Sequence, residues 1–257
     1  MIVSYPDRVF NLWEYIATND FLVLKSWRDG EGTTHLIFAV VGFLAIPDVF
    51  CGLRVEQGSD TDIDSVRPWC VPDREQQVFV LITEGKRYPI VAAHCFVEET
   101  DRDYRESPFV HQPGSRPYRL QGSAIRSGDD SSTSISYGGK NCAYPDRTFQ
   151  FWEYSVSFAR LLVRCPKVGT NGSNVELRFR GVSLIVIPRT LEGVVIEKGT
   201  DDDIATASHL SARELREEEN VFALVSRGVR YLVVACGLIC EENDAERYVS
   251  PFRDLKW

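Results

Sequence analysis

No apolar stretch in this chain reaches the roughly 18 to 20 residues needed to cross a bilayer as a helix. The longest, around Leu36 to Phe50, is interrupted by Gly42 and ends at Pro47 and Asp48, so a membrane span is not expected. The first eight residues, Met1 to Arg8, lack a basic stretch followed by an apolar one, which leads to the expectation of a cytoplasmic protein. The seven cysteines (Cys51, Cys70, Cys95, Cys142, Cys165, Cys236 and Cys240) are odd in number and contain no CxxC pair. That fits neither a disulfide framework nor a common zinc pattern, and reduced thiols are expected. Cys236 and Cys240 lie four apart in an apolar run and read as core residues rather than metal ligands. Neither GxxxxGK[ST] nor GxGxxG occurs, so no phosphate-cradling loop is predicted.

Clustered positive charge is also scarce. The formal net charge is −8, whereas a nucleic-acid backbone needs dense Lys and Arg, and a basic protein surface is the better-matched partner. What is present is ordinary globular material: 257 residues with 44% apolar, 11% aromatic and 26% charged side chains. That length suits two domains.

An internal repeat supports the division. Tyr5-Pro6-Asp7-Arg8-Val9-Phe10-Asn11-Leu12-Trp13-Glu14-Tyr15 matches Tyr144 through Tyr154 at eight of eleven positions. The match continues in order through Ile46-Pro47 and Ile187-Pro188, Gly58 to Ile63 and Gly199 to Ile204, and Gly85 to Tyr88 and Gly228 to Tyr231. Both copies close with an acidic turn and Ser-Pro-Phe, at Ser107 to Phe109 and at Ser250 to Phe252. The reading is a duplicated domain, residues 1–109 and 144–257, joined by a Gly/Ser-rich linker at 110–143. A flexible linker of that length has an r.m.s. span of roughly 30 Å, enough to let the copies pack as a pseudo-twofold pair.

The second copy serves as the template for local structure. Alternation predicts strands at 148–157, 160–164, 174–188, 194–197, 221–226 and 230–240, with a helix over 205–219. Thr200 and Asp203, like Ser59 and Asp62, stand where an N-cap and an N3 carboxylate would stand. In the first copy Pro68 and Pro72 shorten the helix. The class is α+β, mainly antiparallel, with about six strands and one helix per copy.

The candidate binding residues are Trp13, Glu14, Tyr15 and Arg87, with Trp152, Glu153, Tyr154 and Arg230. Simple alternation sets Phe10, Leu12 and Glu14 on one face, against Trp13 and Tyr15 on the other. Likewise Phe149, Phe151 and Glu153 oppose Trp152 and Tyr154. Glu14 and Glu153 are then half-buried carboxylates in need of a cation, and Arg87 and Arg230 are the expected partners. This pairing fixes strand register or holds a ligand. Trp13 and Trp152 pack in the core, between the copies or in a partner interface.

The acidic runs Asp60-Thr61-Asp62 and Asp201-Asp202-Asp203 do not fit an EF-hand loop and read as helix N-terminal carboxylates. None of the histidines (His35, His94, His111 and His209) and none of the cysteines recurs at an equivalent position, so no duplicated metal or nucleophile site is predicted, and no cofactor. Residues 5–109 carry 10 basic and 18 acidic side chains, net −8, and residues 144–252 carry 13 and 16, net −3. The strip Arg160, Arg164, Arg178 and Arg180 is expected to face the first copy. The functional expectation is a non-enzymatic protein-binding module of immunity or inhibitor type that recognises a basic partner. The alternative is a small-ligand binder or carboxylate-based enzyme using the cleft between the copies.

Overall fold

The computed structural model describes residues 2–17, 20–28, 32–101, 108, 142–156, 158–167, 172–211, 213–246 and 249–252. The first half contains β1 (Val3–Ile16), β2 (Phe21–Arg28), β3 (Gly32–Ala39), β4 (Phe43–Pro47), β5 (Val49–Gln57), α1 (Asp60–Val66), β6 (Gln77–Thr83), β7 (Lys86–Ala92) and β8 (His94–Thr100). The second contains β9 (Ala143–Ser155), β10 (Arg160–Cys165), β11 (Asn174–Arg180), β12 (Leu184–Pro188), β13 (Thr190–Lys198), α2 (Asp201–Leu210), β14 (Asn220–Ser226), β15 (Val229–Ala235) and β16 (Gly237–Asn243). The protein is β-rich with two helices, and its strand pairings are antiparallel. Apart from Cys142 and Ala143, the linker at 110–143 lies outside the described residues, as do Ser107, Phe109 and 168–171.

Within each half the same elements meet. β1 lies between β2 and β5, β2 pairs with β3, β3 with β8, β5 with β6, β6 with β7, and β7 with β4. β9, β10, β11, β13, β14, β15, β12 and β16 repeat this set of pairings. Eight strands stand where six were expected because two long runs bend. β3 turns into β4 at 40–42, and β7 into β8 at Ala93; hydrogen bonds from Gly42 N to Val91 O and from Ala93 N to Ala39 O hold that corner. In the second half the corner bonds are Ser183 N to Val234 O and Cys236 N to Arg180 O. With each bent run counted once, six runs close into a ring. The bend lets inward side chains such as Phe10, Leu24, Phe38, Leu53 and Leu81 converge on one interior.

Glycine is required where a strand of each half kinks. Gly52 and Gly193 have φ of +68° and +65°, and a Cβ there would stand 2.6 Å from the carbonyl oxygens of Pro6 and Pro145.

Two seams join the halves. β4 pairs with β12, with Ala45 opposite Val186, and β1 pairs with β9, with Tyr15 opposite Tyr154. In each of these pairs the two residues occupy matching places in the aligned sequences of the two halves. The interiors of the two rings merge into one apolar core, and Tyr15 stacks on Phe151 across the seam at 3.9 Å between ring centroids. A second core covers the other face of the β4–β12 sheet, where Phe43, Ala45, Val186 and Val234 meet Val66 of α1 and Ala207 of α2. The helices obey their caps: Ser59 and Thr200 each form a capping box with Asp62 and Asp203. α2 begins at Asp201 and stops at Ser211, earlier at both ends than the predicted 205–219. α1 is three residues shorter, with Pro68 just beyond its end.

Candidate functional site

The two Trp-Glu-Tyr blocks meet at the β1–β9 seam. Register places Glu14 opposite Ser155, Tyr15 opposite Tyr154 and Ile16 opposite Glu153, and backbone bonds from Ala17 N to Trp152 O and Val156 N to Trp13 O flank them. A β-bulge shifts β1 against β2 between Leu12 and Glu14, and another shifts β9 against β10 at the equivalent point. The extra residue is Trp13 in one half and Trp152 in the other. This overturns the expected faces: past the bulge Tyr15 joins Phe10 and Leu12 in the core, and Tyr154 joins Phe149 and Phe151. Both phenols are pushed far above their ordinary pKa by burial, with Asp20 adding to the shift at Tyr15 and Asp48 at Tyr154.

The bulged tryptophans lie on the outward face, each against a buried cation. Lys25 Nζ lies 4.3 Å from the Trp13 ring centroid, and the Arg164 guanidinium carbon lies 5.2 Å from that of Trp152. Each cation opens a cross-strand row. Lys25 stands opposite His35, and His35 opposite Glu98, with His35 Nδ1 3.9 Å from Glu98 Oε2. In the second half Arg164 stands opposite Glu176 and Glu176 opposite Glu241. Arg164, fully buried, forms an ion pair with Glu176 and donates to Val249 O at 2.8 Å. That contact holds the segment 249–252 beside the row: Ser250 is buried, and Arg160 lies 5.8 Å from the Phe252 ring. In the first half Pro108, the counterpart of half-buried Pro251, is buried.

The arginine strip therefore does not face the first half. Arg178 pairs with Glu176 and Glu241, and Arg164 with Glu176, all within the second half. Arg87 and Arg230 are likewise placed away from the expected carboxylates. Arg87 holds Asp62 through Nε and Nη2 at 2.9 and 2.8 Å, and Arg230 holds Asp203 and Glu197. A short helix follows β5 and β13, and its N3 carboxylate reaches β7 and β15, where these arginines stand. Their hydrogen bonds hold the Asp62 carboxyl well below its usual range, and the Asp203 carboxyl is lowered against the cost of burial. Glu14 and Glu153 are half-buried. Thus six of the eight candidate residues gather around one seam, and the two arginines serve the helix caps.

The two halves differ where charge enters the seam. Asp48 and Arg189 follow the equivalent Ile-Pro pairs and make equivalent backbone bonds, Asp48 O accepting from Leu12 N and Arg189 O from Phe151 N. Arg189 forms an ion pair with Asp20 at 2.7 Å. Asp48, by contrast, is pushed up to about 6 by burial, with Arg213 opposing. Nearby Glu219 bears the cost of burial yet is held down to about 2 by the Arg213 side chain and the Arg216 N–H. Alternation carried no sign of Lys25, His35, Arg164, Glu176, Asp48 or Arg189; a charged residue inside an apolar strand run was the one available cue.

Among the described residues exposed large apolar side chains occur in both halves, Val71 and Phe158 foremost, and two aromatic ones lie on the outer face of the first half. Trp27 on β2 is 51% exposed and Phe96 on β8 is 50% exposed. Cross-strand register through Thr33 and Thr100, and through Ile37, sets both on the face that carries Lys25, His35 and Glu98. Among the described residues β8 pairs with β3 alone. No cluster of three or more His, Cys, Asp or Glu is arranged to hold a metal ion among the described residues, and no helix there is long and apolar enough to cross a membrane. Comparison with protein-family models, curated proteins and solved structures finds no match.

Proposed function

We propose that this chain is a non-enzymatic protein-binding module, built by doubling one ring, whose acidic first half takes a basic partner on the outer face of β2, β3 and β8. The observation that carries the reading is the half exposure of Trp27 and Phe96 on one strand face, beside Glu98. Aromatic anchors ringed by charge are what a protein interface uses for affinity and orientation. On the matching face of the second half the places of Trp27 and Phe96 are taken by half-buried Pro166 and Ile239, and Arg164 and Arg178 engage Glu176 and Glu241. An inhibitor or immunity-type protein that covers a basic surface has this character, and seven free thiols suit a cytoplasmic setting.

The test is affinity capture from the producing cell with the wild-type chain and with Phe96→Lys/Glu98→Lys. A discrete basic protein should be recovered by the first and lost by the second, with the variant's thermal midpoint unchanged. Retention by the variant, or no specific capture by either, contradicts the reading.

One observation favours a second reading, a small-ligand site at the seam. The Tyr15 hydroxyl and Asp20 Oδ1 are buried beside Arg189 without a hydrogen-bond partner among the described residues.

A further inference from the structure

A closed circuit of contacts surrounds one corner of the β1–β9 seam. The Tyr15 ring lies flat on Phe151, Phe151 N donates to Arg189 O at 2.9 Å, and the Arg189 side chain holds Asp20 at 2.7 Å. Strand register leads from Asp20 back to Tyr15. Tyr15 stands opposite Leu22 and Ile16 opposite Phe21, and one further step sets Asp20 opposite Ala17, which packs on the merged core. Tyr15, Ala17 and Asp20 thus share the inward face. Inside this circuit the Tyr15 hydroxyl and Asp20 Oδ1 are buried without a hydrogen-bond partner among the described residues. Tyr15 is fully buried, whereas the Arg189 side chain, 43% exposed, connects the corner to solvent. At the matching places the second half has Ala159 and Asp48, so no such ion pair can form there. The outer wall is strained: Val40, whose N–H donates to Asp20 O at 2.9 Å, is a β-branched residue at φ +55°, where the second half has Gly181 at +61°. Backbone strain of this kind clusters at ligand clamps.

We propose that this corner binds a small uncharged polyol through a vicinal diol, an assignment that rests on the small-ligand reading of the seam. One ligand hydroxyl lies between the two buried atoms, donating to Asp20 Oδ1 and accepting from the Tyr15 phenol. The neighbouring hydroxyl oxygen accepts from the solvent-facing N–H groups of Arg189. An ionised carboxylate oxygen takes only a donor, a guanidinium only gives, and a phenol does either, so the ligand must carry donor and acceptor together. A hydroxyl does so on a single oxygen. Asp20 and Arg189 cancel in charge, and the side chains of Phe151, Leu22 and Ala17 beside them are apolar, so a further net charge would be costly to bury. Burial keeps the Tyr15 phenol protonated well past neutral pH, which preserves its donor.

The test is NMR of the full chain isotope-labelled at the tyrosine Cζ, with the Tyr15 signal assigned as the one missing from Tyr15→Phe. Glycerol and glucose carry the diol; ethanol, acetamide and methylammonium chloride do not. The expected result is a saturable shift of the Tyr15 signal with glycerol or glucose and none with the other three. In Asp20→Asn, which removes the carboxylate charge but suits the left-handed turn at φ +52°, the affinity should fall by roughly ten-fold or more. A shift with ethanol, acetamide or methylammonium that equals or exceeds that with the diols overturns the diol assignment and leaves the small-ligand reading standing. No saturable shift with any probe overturns both, and an undiminished diol affinity in Asp20→Asn overturns the assignment.

Discussion

Tyr15 and Tyr154 stand directly opposite each other where β1 meets β9, each the equivalent of the other in its own half. Through them the interiors of two rings become one core, with the Tyr15 ring lying flat on Phe151. Removing the ring as Tyr15→Ala is expected to cost about 3–5 kcal/mol, the usual range for a large buried aromatic side chain. Tyr15→Phe should be neutral or stabilising, because the hydroxyl it deletes is buried without a partner among the described residues. Urea unfolding of both variants checks this, and equal losses would contradict it.

The Arg164–Glu176 pair makes a second prediction. Both side chains are buried, so Glu176→Leu alone strands Arg164 and should cost about 3–5 kcal/mol, Arg164→Met should cost less because Glu176 keeps Arg178, and the double variant should recover most of the larger loss.

Two aspartates give stability opposite dependences on pH. Asp48 has its folded pKa raised to about 6, so between an unfolded value of ~3.9 and that point the native state holds more protons, and the contribution present at low pH is lost as pH rises. Asp62 is depressed by its hydrogen bonds from Arg87, so its contribution is present above ~3.9 and is lost as pH falls. Asp48→Asn should therefore raise the thermal midpoint at pH 8 relative to wild type, with the gap closing toward pH 4. A gap independent of pH would contradict the burial argument.

Much of this fold was legible in the residues. The capping pairs Ser59–Asp62 and Thr200–Asp203 marked both helix starts, and alternation found every strand run of the second half. The runs 174–188 and 230–240 were read as single strands because a bend at 181–183 or at Cys236 leaves the alternation of apolar residues nearly intact. The bulges at Trp13 and Trp152 were invisible for a related reason: one inserted residue reverses the faces beyond it without altering composition, which sent Tyr15 and Tyr154 to the wrong side. Arg87 and Arg230 were matched to the wrong carboxylates because the helix after β5 or β13 brings Asp62 and Asp203 to them, and no local period encodes that return.

The most direct test of the docking account is site-specific photo-crosslinking in the producing cell. A photoreactive side chain is placed at Phe96 on β8 or at Ile239, its counterpart on β16. The account predicts one discrete adduct from position 96, to a protein rich in Lys and Arg, and none from position 239. No adduct at 96, or the same adduct from both positions, would contradict it.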